Sequence, residues 1–121
     1  MQVPILKQRE VLIASVQSAL SDADLMQLQS ELTQRVRKFR SRGVIVDVTA
    51  LDVLDSFAAR TLRNTAHMTK LLGAETVVVG IHPDVALSMV QLGLVLDDVA
   101  TALDLEEGLE YLERRLHRHK Q

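Results

Sequence analysis

The sequence predicts an α/β fold: a single domain with a mixed, mostly parallel sheet flanked by about four helices, in the order ββαβαβαβα. Three observations carry that expectation. Residues 44–48 and 76–81 are short β-branched runs of the kind found in strands covered on both faces. Each run is followed by a segment whose apolar residues recur every three or four positions, the period of a helix. Strands and helices that alternate in this way form parallel pairs through right-handed crossovers.

The elements follow in order. Val3 and Ile5, then Val11, Leu12, Ile13 and Val16, flank the polar Gln8 and Arg9. This predicts two short strands over about 3–7 and 10–16, joined by a tight turn. From Ser21 the spacing of Leu25, Leu28, Leu32, Val36 and Phe39 predicts a helix. Ser21 and Asp24 supply its cap, the basic residues from Arg35 to Arg42 complement the negative end of its dipole, and Gly43 is expected to stop it. After the strand at 44–48, a second helix is expected over 56–72. Ala58, Leu62, Thr65, Thr69 and Leu72 lie on one side of it, Arg60, Arg63, Asn64, His67 and Lys70 on the other, with Gly73 at its end. Pro83 fits the first turn of a third helix of about 10 residues, which carries Val85, Ala86, Met89, Val90 and Leu92 to Gly93. A weaker strand over 99–102 precedes the last helix. There Asp104 and Glu107 form a capping box, and Leu105, Leu109, Leu112 and Leu116 the buried stripe.

A length of 121 residues fits one domain, and neither a linker nor a repeat divides it. With 47% hydrophobic and 25% charged residues the chain has globular proportions. The apolar stretch 85–96 is broken by Ser88, Gln91 and Gly93 and falls short of the roughly 20 residues a bilayer span needs. Residues 1–7 do not resemble a secretory signal, so a cytoplasmic location is expected. The absence of cysteine excludes disulfides, thiolate metal sites and cysteine nucleophiles. A formal charge of −2 argues against nucleic-acid binding by bulk electrostatics, and Phe39, Phe57 and Tyr111 are too few to build stacking platforms. Charge is nevertheless clustered. Bases gather at 35–42 and at Arg114, Arg115, Arg118 and Lys120; acids gather at Asp47, Asp52 and Asp55.

No constellation for catalysis emerges. The glycines at 43, 73, 80, 93 and 108 are isolated, so no phosphate loop follows a strand. His67, His82, His117 and His119 are scattered, and the i, i+2 spacing of the last pair points them to different sides of a helix. Asp47, Asp52 and Asp55 have the chemistry for a hard cation, but equally suit loop and cap positions. No metal, cofactor or catalytic residue is expected. At the start of the second helix, Asp55 and Ser56 are residues that caps favour, and spacing alone asks nothing more of them. Ser56, Arg60, Arg63, Asn64, His67 and Lys70 fall on one helical face, which as a charge pattern reads as a solvated stripe.

Four stretches carry a resemblance to the STAS domains, whose founding members are bacterial anti-sigma-factor antagonists: residues 44–49, 51–59, 77–83, and Leu92-Gly93 followed by 102–109. Within that family the chain looks most like the single-domain stressosome scaffolds, since it starts directly on the first strand with no sensor module before it. The resemblance implies a non-enzymatic scaffold in which Ser56 is phosphorylated. The kinase would be an RsbT-type serine/threonine kinase, held by the unphosphorylated scaffold and released after stress. It further implies an RsbR-type sensor paralogue, self-association in a large complex, and a phosphatase. Asp47, Asp52, Asp55, Phe57 and Arg60 would form the environment of the phosphosite. Ser88 occupies the region where some family members carry a second phosphoacceptor. An alternative is a free antagonist, similar to SpoIIAA, that binds an anti-sigma kinase directly; another is an enzyme or nucleotide-binding domain acting alone. A phosphoryl group adds about −1.5 to −2 charges. A helix N-terminus would favour that charge and the nearby aspartates would oppose it. Arg60, one turn on, could pair with the phosphate.

Overall fold

Chain order is also spatial order in the sheet. The computed structural model describes residues 2–94 and 96–117. Within them the elements are β1 (Ile5–Gln8), β2 (Val11–Ser15), α1 (Asp22–Phe39), β3 (Gly43–Asp47), α2 (Ser56–Leu71), β4 (Glu75–Val79), α3 (Pro83–Gln91), β5 (Ala100–Ala102) and α4 (Leu105–Leu116). The strands lie in the order β1-β2-β3-β4-β5. β1 pairs antiparallel with β2, and every later pair is parallel.

Register sorts side chains onto two faces, because successive residues of a strand point to opposite sides. Ala14, Val46 and Val78 stand in one row, within a core that also holds Leu28, Leu32 and Val36 of α1, Ala59 and Leu62 of α2, and Val85 and Met89 of α3. Ile13, Ile45 and Val77 stand in the adjacent row and pack with Leu112 of α4. Three helices therefore cover one face and α4 alone covers the other. Its approach is close: a Cβ at Gly108 would lie 2.7 Å from Val79 Cγ1, so only glycine fits there.

Several local expectations shift. α1 has the predicted capping box between Ser21 and Asp24, but it ends at Arg40, in the left-handed region at φ 51°, and not at Gly43. Gly43 is the first residue of β3, where a Cβ would meet Leu112 Cδ1 at 2.9 Å; its small size serves packing. Phe39 is 40% exposed, past the end of the buried stripe. On α2 the buried residues are Ala59, Thr61, Leu62, Thr65, Ala66 and Thr69; Ala58 is partly buried and packs against the core, while Leu72 is exposed. Thr65, Thr69 and Thr76 bury hydroxyls that have partners. Thr65 Oγ1 donates to Thr61 O at 2.7 Å and accepts from Gln29 Nε2 at 3.1 Å, while Thr69 and Thr76 share a hydrogen bond of 2.6 Å. On α3 only Val85 and Met89 are buried, and Ala86, Val90 and Leu92 face outward. In α4, Asp104 caps the Glu107 amide at 2.9 Å, while the Glu107 carboxylate accepts from Leu103 N rather than from the cap residue, so the box is offset by one residue. Arg118, His119 and Lys120 lie outside the described residues. No described helix is long and apolar enough to cross a membrane.

Candidate functional site

The C-terminal ends of β3 and β4 carry two loops that are tied together. Val48 N donates to Val79 O at 3.0 Å, extending the strand pairing by one residue. Asp47 Oδ1 then accepts from both Thr49 N, at 2.9 Å, and Thr49 Oγ1, at 2.6 Å, which turns the chain out of the sheet. The Thr49 carbonyl is hydrogen-bonded to His82 Nε2 from the β4–α3 loop. Gly80, at φ 84°, lies directly beneath Thr49. Leu54 is buried and anchors the far end of the β3–α2 loop, while Val53 beside it is 70% exposed.

That anchored loop delivers Asp55 and Ser56 to the start of α2. Asp55 has an extended backbone, and its Oδ1 accepts from Ala58 N at 2.8 Å, so Asp55 is the N-cap and Ser56 the first helical residue. Ser56 is exposed. Because the cap is made by Asp55, the Ser56 hydroxyl is not needed for it. Phe57 is half-buried, and the Arg60 guanidinium lies 6.0 Å from the centre of its ring, within cation–π range. Replacing Asp55 by alanine is expected to cost about 1 kcal/mol through loss of the cap, read as a lower urea midpoint with an unchanged slope.

The three aspartates do different things. Asp47 is engaged within its loop and Asp55 caps the helix. Asp52 is exposed beside an open hollow that it shares with His82, Pro83, Asp84 and Val85. Among the described residues no group of three histidine or carboxylate side chains is arranged to hold a metal. Ser88 is exposed on α3, beyond its first turn. The structure thus brings Asp55, Ser56, Phe57 and Arg60 together at the start of α2, within its cap and first two turns, with Ser88 on a different helix. Sequence reasoning missed the Thr49–His82 tie between the two loops. The isolated Gly80 directly after a β-branched run was its only trace. It also missed a small apolar cavity of about 90 Å³ under the loop, between the starts of α1 and α2, lined by Leu20, Leu25, Leu28, Leu51, Val53 and Asp55 among others. Its lining comes from two loops and two helices, and no local pattern marks it.

A five-stranded mixed sheet, helices divided three to one across its faces, and an exposed serine opening α2 define a class of small α/β domains. The STAS domain family matches residues 2–108, and the chain belongs to that family. Among solved structures, a serine-to-glutamate variant of RsbS from Moorella thermoacetica is 34% identical, with a TM-score of 0.81 over 96% of this chain and 97% of that one. A chain from the molecular architecture of the stressosome, described as a signal integration and transduction hub, is 32% identical, with a TM-score of 0.75 over 93% and 98%. The RsbT co-antagonist protein RsbRA of Bacillus subtilis (strain 168) is 31% identical over 83 residues, 69% of this chain. The match spans only 30% of RsbRA's length. Likeness to the anti-sigma-factor antagonist SpoIIAA, at 13% identity and a TM-score of 0.69, is one of fold alone.

Proposed function

We propose that this domain is a non-catalytic scaffold of a stressosome-type complex, and that a switch kinase of the RsbT type phosphorylates it at Ser56. One observation carries the reading: the exposed Ser56 opens α2 in a chain similar to RsbS along nearly its whole length. The unphosphorylated domain holds the kinase, and an RsbR-type paralogue shares the assembly. Ser56 Oγ takes the phosphoryl group from the kinase's nucleotide, and the hydroxyl proton leaves to a base on the kinase.

Electrostatics gives a route from modification to release. Asp55 already occupies the Ala58 amide, so a phosphate on Ser56 competes with that cap for the helix N-terminus or projects into solvent. Either way about two negative charges are added beside Asp52 and Asp55 on an exposed surface. A kinase surface complementary to the unmodified patch meets repulsion, and dissociation needs no internal rearrangement. Arg60 competes between the phosphate and the Phe57 ring, which makes Phe57 part of the response.

Mass spectrometry after incubation with the cognate kinase and Mg-ATP tests the reading. Label is expected on Ser56, lost in Ser56→Ala, and absent when the kinase is omitted. Equal labelling of the Ser56→Ala protein would overturn it, as would labelling without kinase.

A further inference from the structure

The cavity of about 90 Å³ beneath the β3–α2 loop is space that the core leaves unfilled. Packing normally removes such space, because the atoms that line it lose their contacts. Its floor includes Val16, Leu28 and Leu62, all buried. Val53 and Asp55, both exposed, stand at its mouth. Asp55 alone among the lining residues carries a charged side chain. Apolar walls with a single well-placed polar group are the anatomy of a small-molecule site.

Size and lining together say what fits. Water does not: the space matches about three water molecules, each of which needs two to four polar partners, and the lining side chains offer one carboxylate. An apolar body does fit. A cavity of about 150 Å³ takes a benzene ring, so in proportion this one takes about four carbons. The carboxylate adds a requirement at the mouth. Asp55 Oδ1 accepts from Ala58 N at 2.8 Å, and no hydrogen bond joins Oδ2 to another described residue. An ammonium group can donate to that oxygen and offset its charge.

We propose that the cavity binds a short primary alkylamine as its ammonium ion, with the carbon chain inward and the nitrogen on Asp55 Oδ2. Orientation separates this ligand from a lysine of a partner protein. Lysine has the same four-carbon stem, but it must enter ammonium first and strand its charge among the leucines. A diamine of the same length fails for the same reason, since one of its charges always lies inside. Ser56 is not part of the lining, so its hydroxyl stays open. The bound cation stands one residue away from it and offsets the negative charge of Asp55. Binding goes beyond the kinase reading and does not depend on it, because it is a property of the isolated chain.

NMR of the purified chain with methyl-labelled leucine tests this without kinase. n-Butylamine is expected to shift the Leu28 and Leu62 methyl signals with a dissociation constant of about 1 mM. Affinity should rise about fourfold per methylene from ethylamine to n-butylamine and stop rising by n-hexylamine, once the space is full. n-Butanol has the same chain without the charge and should bind about threefold more weakly. For 1,4-diaminobutane the loss should be at least about tenfold. Asp55→Asn keeps a capping residue and should bring n-butylamine down to the affinity of n-butanol. Ala58→Leu fills the space and should abolish both sets of shifts. Circular dichroism checks that the variants are folded, and Asp55→Asn carries the test by itself if Ala58→Leu is not. Leu28 and Leu62 signals that do not move overturn the proposal. So does 1,4-diaminobutane matching n-butylamine, or an amine affinity that Asp55→Asn leaves unchanged. Equal binding of n-butanol also overturns it, and marks a site for a neutral apolar group such as a partner protein's leucine.

Discussion

Gly80→Ala is expected to lose roughly 2–4 kcal/mol of stability, one of the largest effects of any single methyl addition to this chain. Two causes combine. The residue sits at φ 84°, where a side chain is strained whatever the space around it. The space is also taken: an ideal Cβ would lie 2.0 Å from Thr49 Oγ1, 2.9 Å from its Cβ and 3.0 Å from its Cα. The threonine hydroxyl could rotate away only by breaking its 2.6 Å bond to Asp47, and the backbone Cα cannot rotate away at all. The strain therefore passes to the β3–α2 loop and to the Thr49–His82 tie. Urea denaturation should show the loss, and kinase labelling of Ser56 on the still-folded fraction should fall with it. A loss under about 0.5 kcal/mol would mean that the loop gives way freely and does not hold Ser56 in place.

Leu112→Ala should cost a similar amount, about 2–5 kcal/mol, by opening a cavity in the thinner of the two cores. Leu112 is 1% exposed and is the only fully buried leucine on α4. Its Cδ atoms rest against the Gly43 backbone at the start of β3, the central strand. The three helices on the opposite face cannot move to fill the gap, because the sheet stands between. Leu109→Ala is the comparison: Leu109 is half-buried in the same cluster and should cost distinctly less. Thermal or urea unfolding of the pair checks the order. If Leu109→Ala proves the more damaging, α4 is seated differently on the sheet.

The element order was legible because each helix carries its own start signal. Ser21 with Asp24, Pro83, and Asp104 with Glu107 are local devices that work before any tertiary contact exists. The β-branched runs were equally plain. Long-range packing was not. Gly43 looks like a helix stop in sequence, yet its role comes from Leu112, far along the chain; Arg40 takes the left-handed position that glycine was expected to hold. Period alone likewise could not say how wide the buried face of α2 is, since Thr65 and Thr69 are buried with hydroxyl partners that the period does not show. At the candidate site, the pairing of cap and exposed hydroxyl at Asp55 and Ser56 was visible as a pattern. Which residue caps and which stays free is a matter of backbone geometry. The hold of the neighbouring loop through Gly80 and His82 joins segments more than thirty residues apart, and no window of sequence contains it.

Identity of chain order and strand order also bears on how the protein comes to be made. Each strand lands beside the one completed just before it, and none has to be threaded between two already paired. A nascent chain can therefore extend its sheet one βα unit at a time as it leaves the ribosome, with short loops to close at each step. The exception is the last step. Until α4 is synthesised and docks, Ile13, Ile45, Val77 and Val79 lack their cover, so the interval between the completion of β5 and the docking of α4 leaves one whole face of the sheet open to water.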